Sequence, residues 1–111
     1  MNIPQMCPRF EKAMELLSKR WTVLIVFQLT NGPQRFVAIE NSIPNLSGKV
    51  LSDRLKELEE EGIIQRMVYP EKPVRIEYSL TDKGRDLAPL FDHIGTWATR
   101  WIEVLPALEQ Q

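Results

Sequence analysis

The sequence SGKVLSDRLKELEEEG, residues 47–62, is the clearest indication of the architecture of this chain. Ser47 is a favourable N-cap residue, and Gly62 is the residue type expected just beyond the end of a helix. Between them, Leu51, Leu55 and Leu58 recur at helical spacing and fall within about 60° of one another on a wheel of 100° per residue. The stretch therefore predicts a helix over 47–61 with one apolar face in the core.

The opposite face of this helix is polar and carries Lys49, Ser52, Asp53 and Lys56. Cationic side chains near the N-terminal end of a projecting helix can enter the major groove of DNA, which is wide enough for one helix. The alternative for Lys49 and Lys56 is a solvated helix face without a partner.

The segments on either side of this helix define its setting. Residues 36–43 suit a short helix that Pro44 ends, and the turn at 43–46 sets the two helices at an angle. Residues 64–69 and the alternating residues 74–80 predict two strands joined by a turn, and such a hairpin must pack on helices to be stable. The order predicts a mainly α fold with a small β-hairpin (α+β), the winged helix-turn-helix.

Helical patterns also fill both ends of the chain. Pro8 suits the first position of a helix, and residues 7–30 predict two helices that end at Asn31-Gly32-Pro33. Residues 34–36 are too short for more than an edge strand. Thr81 is a cap for a helix over 81–106, which Pro89 should bend or split.

We therefore expect a single winged-helix domain over 1–111. Its parts are the N-terminal helices at 7–30, the helix-turn-helix at 36–61, the hairpin or wing at 63–80 and the C-terminal helix at 81–106.

Composition limits the class of protein. The 111 residues are 43% hydrophobic and 26% charged, as in an ordinary globular chain. The longest apolar run, Val23–Phe27, is far shorter than a membrane span, and the first residues do not resemble a signal peptide, so we expect a cytoplasmic protein without a membrane partner. The single cysteine, Cys7, excludes an internal disulfide and a cysteine zinc cluster; we expect no metal and no cofactor.

The charge is distributed unevenly along the chain. The net charge is −1, but residues 1–56 carry eight basic and four acidic side chains, and the remainder carries six basic and eleven acidic ones. The halves thus differ, at +4 and −5, which is a weak indication of a nucleic-acid partner.

Two other classes of function compete with DNA binding. An enzyme is disfavoured because the only histidine, His93, lies among apolar residues without a catalytic motif, and no glycine-rich phosphate loop is present. A winged helix used only for protein contacts is the second alternative. The basic outer face and the basic wing favour DNA over it.

Several motifs in one order resemble a known family. They are Cys7-Pro8, LLSKRWTVLI at 16–25, GPQRF at 32–36, IPNLSGKVLSDRLKELE at 43–59 and YPEKPVRIEYSLTDKG at 69–84. Together they span roughly residues 7–103 and are similar to the HxlR-type winged-helix regulators, which are MarR-like. The resemblance implies a bacterial or archaeal homodimeric transcription regulator, with repression as the expected mode. One departure is Gly48, where such proteins often have proline.

On this basis we predict the residues that meet double-stranded DNA, a pseudo-palindromic operator. The first turn of the recognition helix would attract a phosphate, and the wing and its neighbour would contact phosphates without reading sequence. The set comprises Arg35, Ser47, Gly48, Lys49, Ser52, Asp53, Arg54, Lys56, Lys72 and Arg75.

Two members of this set have alternative roles. Asp53 can accept a hydrogen bond from a cytosine amino group, or it can hold Lys49 or Lys56 in place. Arg54 can contact DNA, or it can form an ion pair with Glu57 at i+3.

The C-terminal helix carries a large apolar stripe. We predict a two-fold dimer through this helix, with help from the first helix. The predicted interface residues are Phe10, Met14, Phe91, Ile94, Trp97 and Trp101. The alternative is that the last helix only covers its own core.

Cys7 stands at the start of the first helix, near Arg9 and Lys12. A helix N-terminus and nearby cations favour the reactive thiolate. Some members of the resembled family have an N-terminal cysteine that senses oxidants or electrophiles, which makes Cys7 a redox-sensing candidate. The alternative is a small buried side chain at the dimer seam. The sequence does not indicate a small-molecule effector.

Overall fold

A computed structural model describes residues 7–104 of the chain. The elements are α1 (Pro8–Leu17), α2 (Thr22–Leu29), α3 (Phe36–Ser42), α4 (Gly48–Glu60), β1 (Ile64–Tyr69), β2 (Arg75–Leu80), α5 (Asp82–Arg85) and α6 (Ala88–Trp101). The predicted order is confirmed: a mainly helical fold with one hairpin, the winged helix-turn-helix. None of the helices within 7–104 has the length and apolarity needed to cross a bilayer.

The helix-turn-helix is formed by α3 and α4. The turn between them places Asn45 in the left-handed region, at φ 69°, which asparagine tolerates better than most residues. The Ser47 hydroxyl accepts a hydrogen bond from the Val50 amide at 3.2 Å, so the predicted N-cap is confirmed. At the other end, Gly62 has φ 75° and stops the helix.

The two strands of the wing pair in antiparallel register, from Ile64 opposite Leu80 to Tyr69 opposite Arg75. Gln34 adds a single bridge on the other side of β2, through two backbone hydrogen bonds with Tyr78 of 2.9 and 2.8 Å. The segment before α3 therefore forms no more than the short edge pairing that its length allows. Burial falls along the hairpin, because its base packs on the helices and its tip extends into solvent.

The core lies between α2, α3, α4 and the base of the wing. Its buried members include Ile25, Val26, Leu29, Ile39, Leu51, Leu55, Leu58, Ile64 and Leu80. The three leucines of α4 all belong to it, as their spacing predicts. By contrast, α1 contributes no buried residue, although Leu16 packs against the core from its edge.

The C-terminal region is split where the sequence predicts it. The Thr81 hydroxyl accepts from the Gly84 amide and caps α5, and α6 then begins at Ala88 with Pro89 in its first turn. A proline is tolerated there because the first amides of a helix have no partner within it. The helix ends at Trp101, and the last two residues of the predicted range 81–106 lie outside the described residues.

One predicted interface residue lies in the core instead. Phe91 is only 7% exposed and meets Phe27 of α2 edge to face, with ring centroids 5.9 Å apart. It fixes α6 to the body of the protomer and is not available for a partner. The prediction erred because Phe91 and its neighbours share one apolar stripe, and only packing divides the stripe into two faces.

Candidate nucleic-acid interface

The outer face of α4 is open to solvent along its length. Lys49, Ser52, Asp53 and Lys56 are all exposed, whereas Leu51 on the other side of the helix is completely buried. The helix thus stands on its apolar face and presents the polar one. This arrangement leaves the residues predicted for base and phosphate contacts accessible to a ligand as large as a DNA duplex.

Lys49 and Asp53 are joined by an ion pair one helical turn apart. The Lys49 Nζ lies 3.3 Å from Asp53 Oδ2, and the two side chains are 85% and 54% exposed. Of the two roles weighed for Asp53, the free protein shows the one in which it holds a lysine. An exposed pair of this kind contributes at most about 1 kcal/mol, so DNA can separate it.

Arg54 points away from this face and contacts the segment between α1 and α2. Its Nε donates to the carbonyl oxygen of Arg20 at 2.9 Å, and its Nη1 lies 3.2 Å from Glu57 Oε1. Lys19 approaches the same carboxylate at 3.0 Å. Of the two roles weighed for Arg54, the structure shows the internal ion pair, and the side chain is only 22% exposed. We therefore leave Arg54 out of the DNA-contacting set.

An acidic side chain lies beside the first turn of α4. A Cβ atom on Gly48 would be 2.9 Å from Glu40 Oε2, so glycine at this position leaves room for the carboxylate. The positive end of the helix dipole therefore already has an anion nearby, and a phosphate at Ser47 and Gly48 would face like charge. No local sequence pattern predicts this contact, because Glu40 belongs to the preceding helix.

Arg75 is held within the wing by three neighbours. Its guanidinium bonds Glu71 at 2.8 and 3.0 Å and Glu77 at 2.7 Å, and it lies 3.8 Å from the centroid of the Tyr69 ring. The hydrogen bonds to Glu71 and Glu77 raise the pKa of Arg75, and the hydrogen bond from Arg75 lowers the pKa of Glu71. In the free protein two carboxylates balance the charge of Arg75, and the expectation that it contacts a phosphate stays a prediction.

Four cations around α4 and the wing make no ion pair within residues 7–104: Arg35, Lys56, Arg66 and Lys72. All four side chains are exposed. Arg35 precedes α3 and lies close enough to the wing tip to lower the pKa of Glu71, after the larger effect of Arg75. These cations, together with Lys49, are the positive charge that this surface can offer a polyanion.

Arg66 is the member of this group that the sequence prediction missed. It lines a groove between α4 and the wing with Ser52, Lys56, Glu59 and Tyr78. Strand alternation places it on the same side of β1 as the buried Ile64, two residues along. That spacing could have directed attention to it, but only the packing of the hairpin on α4 shows that it stands next to Lys56.

Five of the six predicted interface residues form exposed apolar surface on α1 and α6. Their exposed fractions are 54% for Phe10, 47% for Met14 and Ile94, 59% for Trp97 and 67% for Trp101. Cys7 is the exposed N-cap residue of α1, and its carbonyl oxygen accepts from the Glu11 amide at 3.0 Å. The thiol is therefore not buried within the protomer.

These features define the class of protein: a winged helix-turn-helix whose projecting helix and wing form one accessible, partly cationic surface. Comparison with known proteins then gives the family. Residues 16–106 match the family described as HxlR-like helix-turn-helix, and the chain belongs to that family of transcriptional regulators.

Named relatives agree with this assignment. The chain is 67% identical over 103 residues to the uncharacterized HTH-type transcriptional regulator YvaP of Bacillus subtilis, covering 93% of this chain and 95% of YvaP. The reduced form of the transcriptional regulator YodB from B. subtilis superimposes with a TM-score of 0.78 at 47% identity, covering 88% of this chain and 96% of YodB. The redox regulator HypR in its oxidized form gives 0.81 at 31% identity, over 88% and 100% of the two chains.

Proposed function

We propose that this chain is a transcriptional regulator, not an enzyme, that binds double-stranded DNA sequence-specifically in the cytoplasm. The observation that carries the proposal is the accessible outer face of α4, beside a groove where Lys56 and Arg66 make no ion pair within the described chain. A helix with a bare polar face is suited to the major groove, and neighbouring cations are suited to the phosphates that flank it.

The surface divides into two kinds of contact. Lys49, Ser52 and Asp53 project from the N-terminal half of α4, where a recognition helix meets base edges. Asp53 exchanges its bond with Lys49 for a cytosine amino group, which frees the lysine for an acceptor on guanine or a phosphate. Lys56, Arg66, Lys72 and Arg35 supply the phosphate contacts and most of the salt dependence.

The protein acts as a homodimer. The exposed apolar residues of α6, with Trp97 and Trp101 prominent among them, form a patch of the kind that protein partners cover. Two-fold symmetry repeats α4 about 34–36 Å away, one turn of DNA, so the operator is pseudo-palindromic. Sedimentation at micromolar concentration tests this assembly, and a monomer that still binds the operator with full affinity would contradict it.

Cys7 makes the regulator responsive to oxidants or electrophiles. The thiol is exposed at the N-terminus of α1, and the names of two structural neighbours describe them in reduced and oxidized forms. Two Cys7 thiols from different subunits form a disulfide by giving two electrons and two protons to diamide, which becomes the hydrazine. A small thiol can take the place of the second subunit. Operator affinity of the wild type should change on diamide treatment, and a Cys7→Ser variant that changes equally would refute this role.

The experiment that tests DNA binding starts with selection of bound fragments from genomic DNA, followed by fluorescence anisotropy on the enriched operator. Lys49→Ala is expected to weaken binding to the operator more than binding to unrelated DNA, because Lys49 lies where bases are read. Lys72→Ala is expected to weaken both about equally, because the wing tip meets only phosphates. If neither variant changes DNA affinity, the assigned surface is wrong, and the protein-contact alternative gains support.

A further inference from the structure

The helix α4 has a third face, between the buried leucines and the outer polar face. Arg54, Glu57 and Glu61 lie on this face, three and four residues apart, and fall within about 60° of one another on a wheel of 100° per residue. Their side chains are 22%, 35% and 37% exposed, so other parts of the protomer partly cover them. The groups that cover them belong to α1 and to the segment that joins α1 to α2.

Arg54 and Glu57 hold this joining segment in place. Arg54 Nε donates to the carbonyl oxygen of Arg20 at 2.9 Å, and Lys19 Nζ donates to Glu57 Oε2 at 3.0 Å. Arg54 Nη1 also lies 3.2 Å from Glu57 Oε1, so the two contacts reinforce each other. The next residue, Trp21, has a φ of 81°, which a side chain other than glycine adopts only where its surroundings impose it. The chain therefore turns from α1 into α2 at a point that α4 fixes.

A third contact joins the two helices directly. Lys12 Nζ of α1 lies 3.8 Å from Glu61 Oε1, one helical turn beyond Glu57 along α4. We call these contacts of Arg54, Glu57 and Glu61 the α1–α4 seam. Because the seam joins the middle and the C-terminal end of α4 to another helix, a shift of α1 is passed to the helix that presents the DNA surface.

The opposite side of α1 is the one that we assign to the dimer. On a wheel of 100° per residue, Lys12 lies about 160° from Phe10 and about 160° from Met14, which are half exposed. Since α1 contributes no buried residue, much of its attachment to its own protomer is polar, with Leu16 packing at the edge of the core. A partner subunit on the outer side of α1 is thus linked to α4 through the seam.

We propose that Arg54 is a positioning residue, which fixes the distance between the two recognition helices through the α1–α4 seam without touching DNA. The inference rests on the proposed function, in which the protein is a homodimer on a pseudo-palindromic operator. One added base pair moves a half-site by about 3.4 Å and turns it by about 34°. A dimer with a closed seam rejects such a displaced half-site. With the seam broken, α1 and the partner bound to it shift relative to α4, and the displaced half-site is accepted.

The first test compares operators whose half-sites are separated by the native spacing or by one base pair more or less. Arg54→Gln and Glu57→Ala both break the seam, although they change the net charge in opposite directions. Each should lower the preference for the native spacing by about tenfold, as expected when a hydrogen bond to a charged group is lost in each subunit. Net charge and a smaller folded fraction affect every operator alike, so they cancel in this ratio.

Glu60→Ala is the matched control for Glu57→Ala. It removes the same carboxylate from α4, but Glu60 makes no ion pair within residues 7–104, and its variant should keep the wild-type preference. Glu57→Ala retains the test if Arg54→Gln does not fold. The wild-type preference in both seam variants would overturn the proposal, and so would a wild type that accepts displaced half-sites equally well.

A second measurement needs no DNA. Spin labels on Glu59→Cys, in a Cys7→Ser background, report the distance between the two α4 helices by pulsed electron–electron resonance. The background protein should give one narrow distance, and Arg54→Gln should lose it in favour of a broader distribution. An intact dimer with an unchanged distribution would overturn the seam alone. A monomer, without dipolar coupling between labels, would instead refute the homodimer of the proposed function and this inference with it.

Discussion

Arg66 offers the sharpest test of the proposed DNA surface, because no motif in the sequence assigned it a role. It lines the groove between α4 and the wing beside Lys56 and makes no ion pair within residues 7–104. If it meets a phosphate, Arg66→Gln removes one ionic contact from each subunit and two from a dimer. The slope of log K against log salt should then become shallower by about 1.8.

This change in slope has a measurable consequence. Between about 50 and 200 mM salt, a slope difference of about 1.8 changes the ratio of wild-type to variant affinity by about twelvefold, with the larger defect at low salt. Fluorescence anisotropy of a labelled operator across this range gives both slopes from one series. Binding should weaken on unrelated DNA as well, because a phosphate contact does not read sequence.

Arg9→Gln is the matched control. It removes the same charge from an exposed arginine on α1. Arg9 lies on the side of the protein near Glu61, at the C-terminal end of α4. A helix of this length spans about 18 Å, which exceeds the Debye length of about 7–14 Å across this salt range. Equal slopes for the wild type and Arg66→Gln, or an equal loss in Arg9→Gln, would refute the assignment and leave only the overall charge of the protein as the cause.

The other predictions concern stability and the first turn of α4. Phe91→Ala should lower the free energy of unfolding by about 3–5 kcal/mol, measured in urea melts, whereas Trp97→Ala should chiefly weaken the dimer, measured by sedimentation. A dimer defect without a stability loss in Phe91→Ala would contradict the core assignment. Ser47→Ala should cost about 1 kcal/mol in the same melts, and no change would mean that the cap is not needed. Glu40→Gln should raise DNA affinity about twofold to fivefold at low salt, measured by anisotropy, because it removes the anion beside the N-terminus of α4. The control variant Glu60→Gln removes the same charge at the other end of α4 and should show no such gain. Equal gains in the two variants would contradict a local effect.

The proposed dimer and the proposed redox response involve different parts of α1. Cys7 stands at its N-terminus, while Phe10 and Met14 face outward along it. A covalent change at Cys7 therefore takes place within two helical turns of the proposed interface. In the proposed dimer, oxidation at this position would change the spacing of the two recognition helices without any change in the core.

The sequence alone determined the elements and their order. The helix caps at Ser47 and Thr81, the leucine spacing of α4 and the break before Pro89 all appear where the pattern predicts them. Each of these signals is local: a side chain satisfies an amide three residues away, or an apolar period matches the helical repeat. Such terms depend on a few neighbouring residues, so they can be evaluated without knowing the fold.

Which charges and apolar residues are accessible to a partner depends on how the elements pack together. Arg54 donates to a carbonyl 34 positions away, Glu40 lies beside the start of another helix, and Arg66 of the wing lines one groove with Lys56 of α4. Phe91 and Trp97 share one apolar stripe, yet one is buried and the other is exposed. The physical reason is that an ion pair or a burial depends on distances between separate elements, and these are set by the angles at which helices and hairpin pack on a common core.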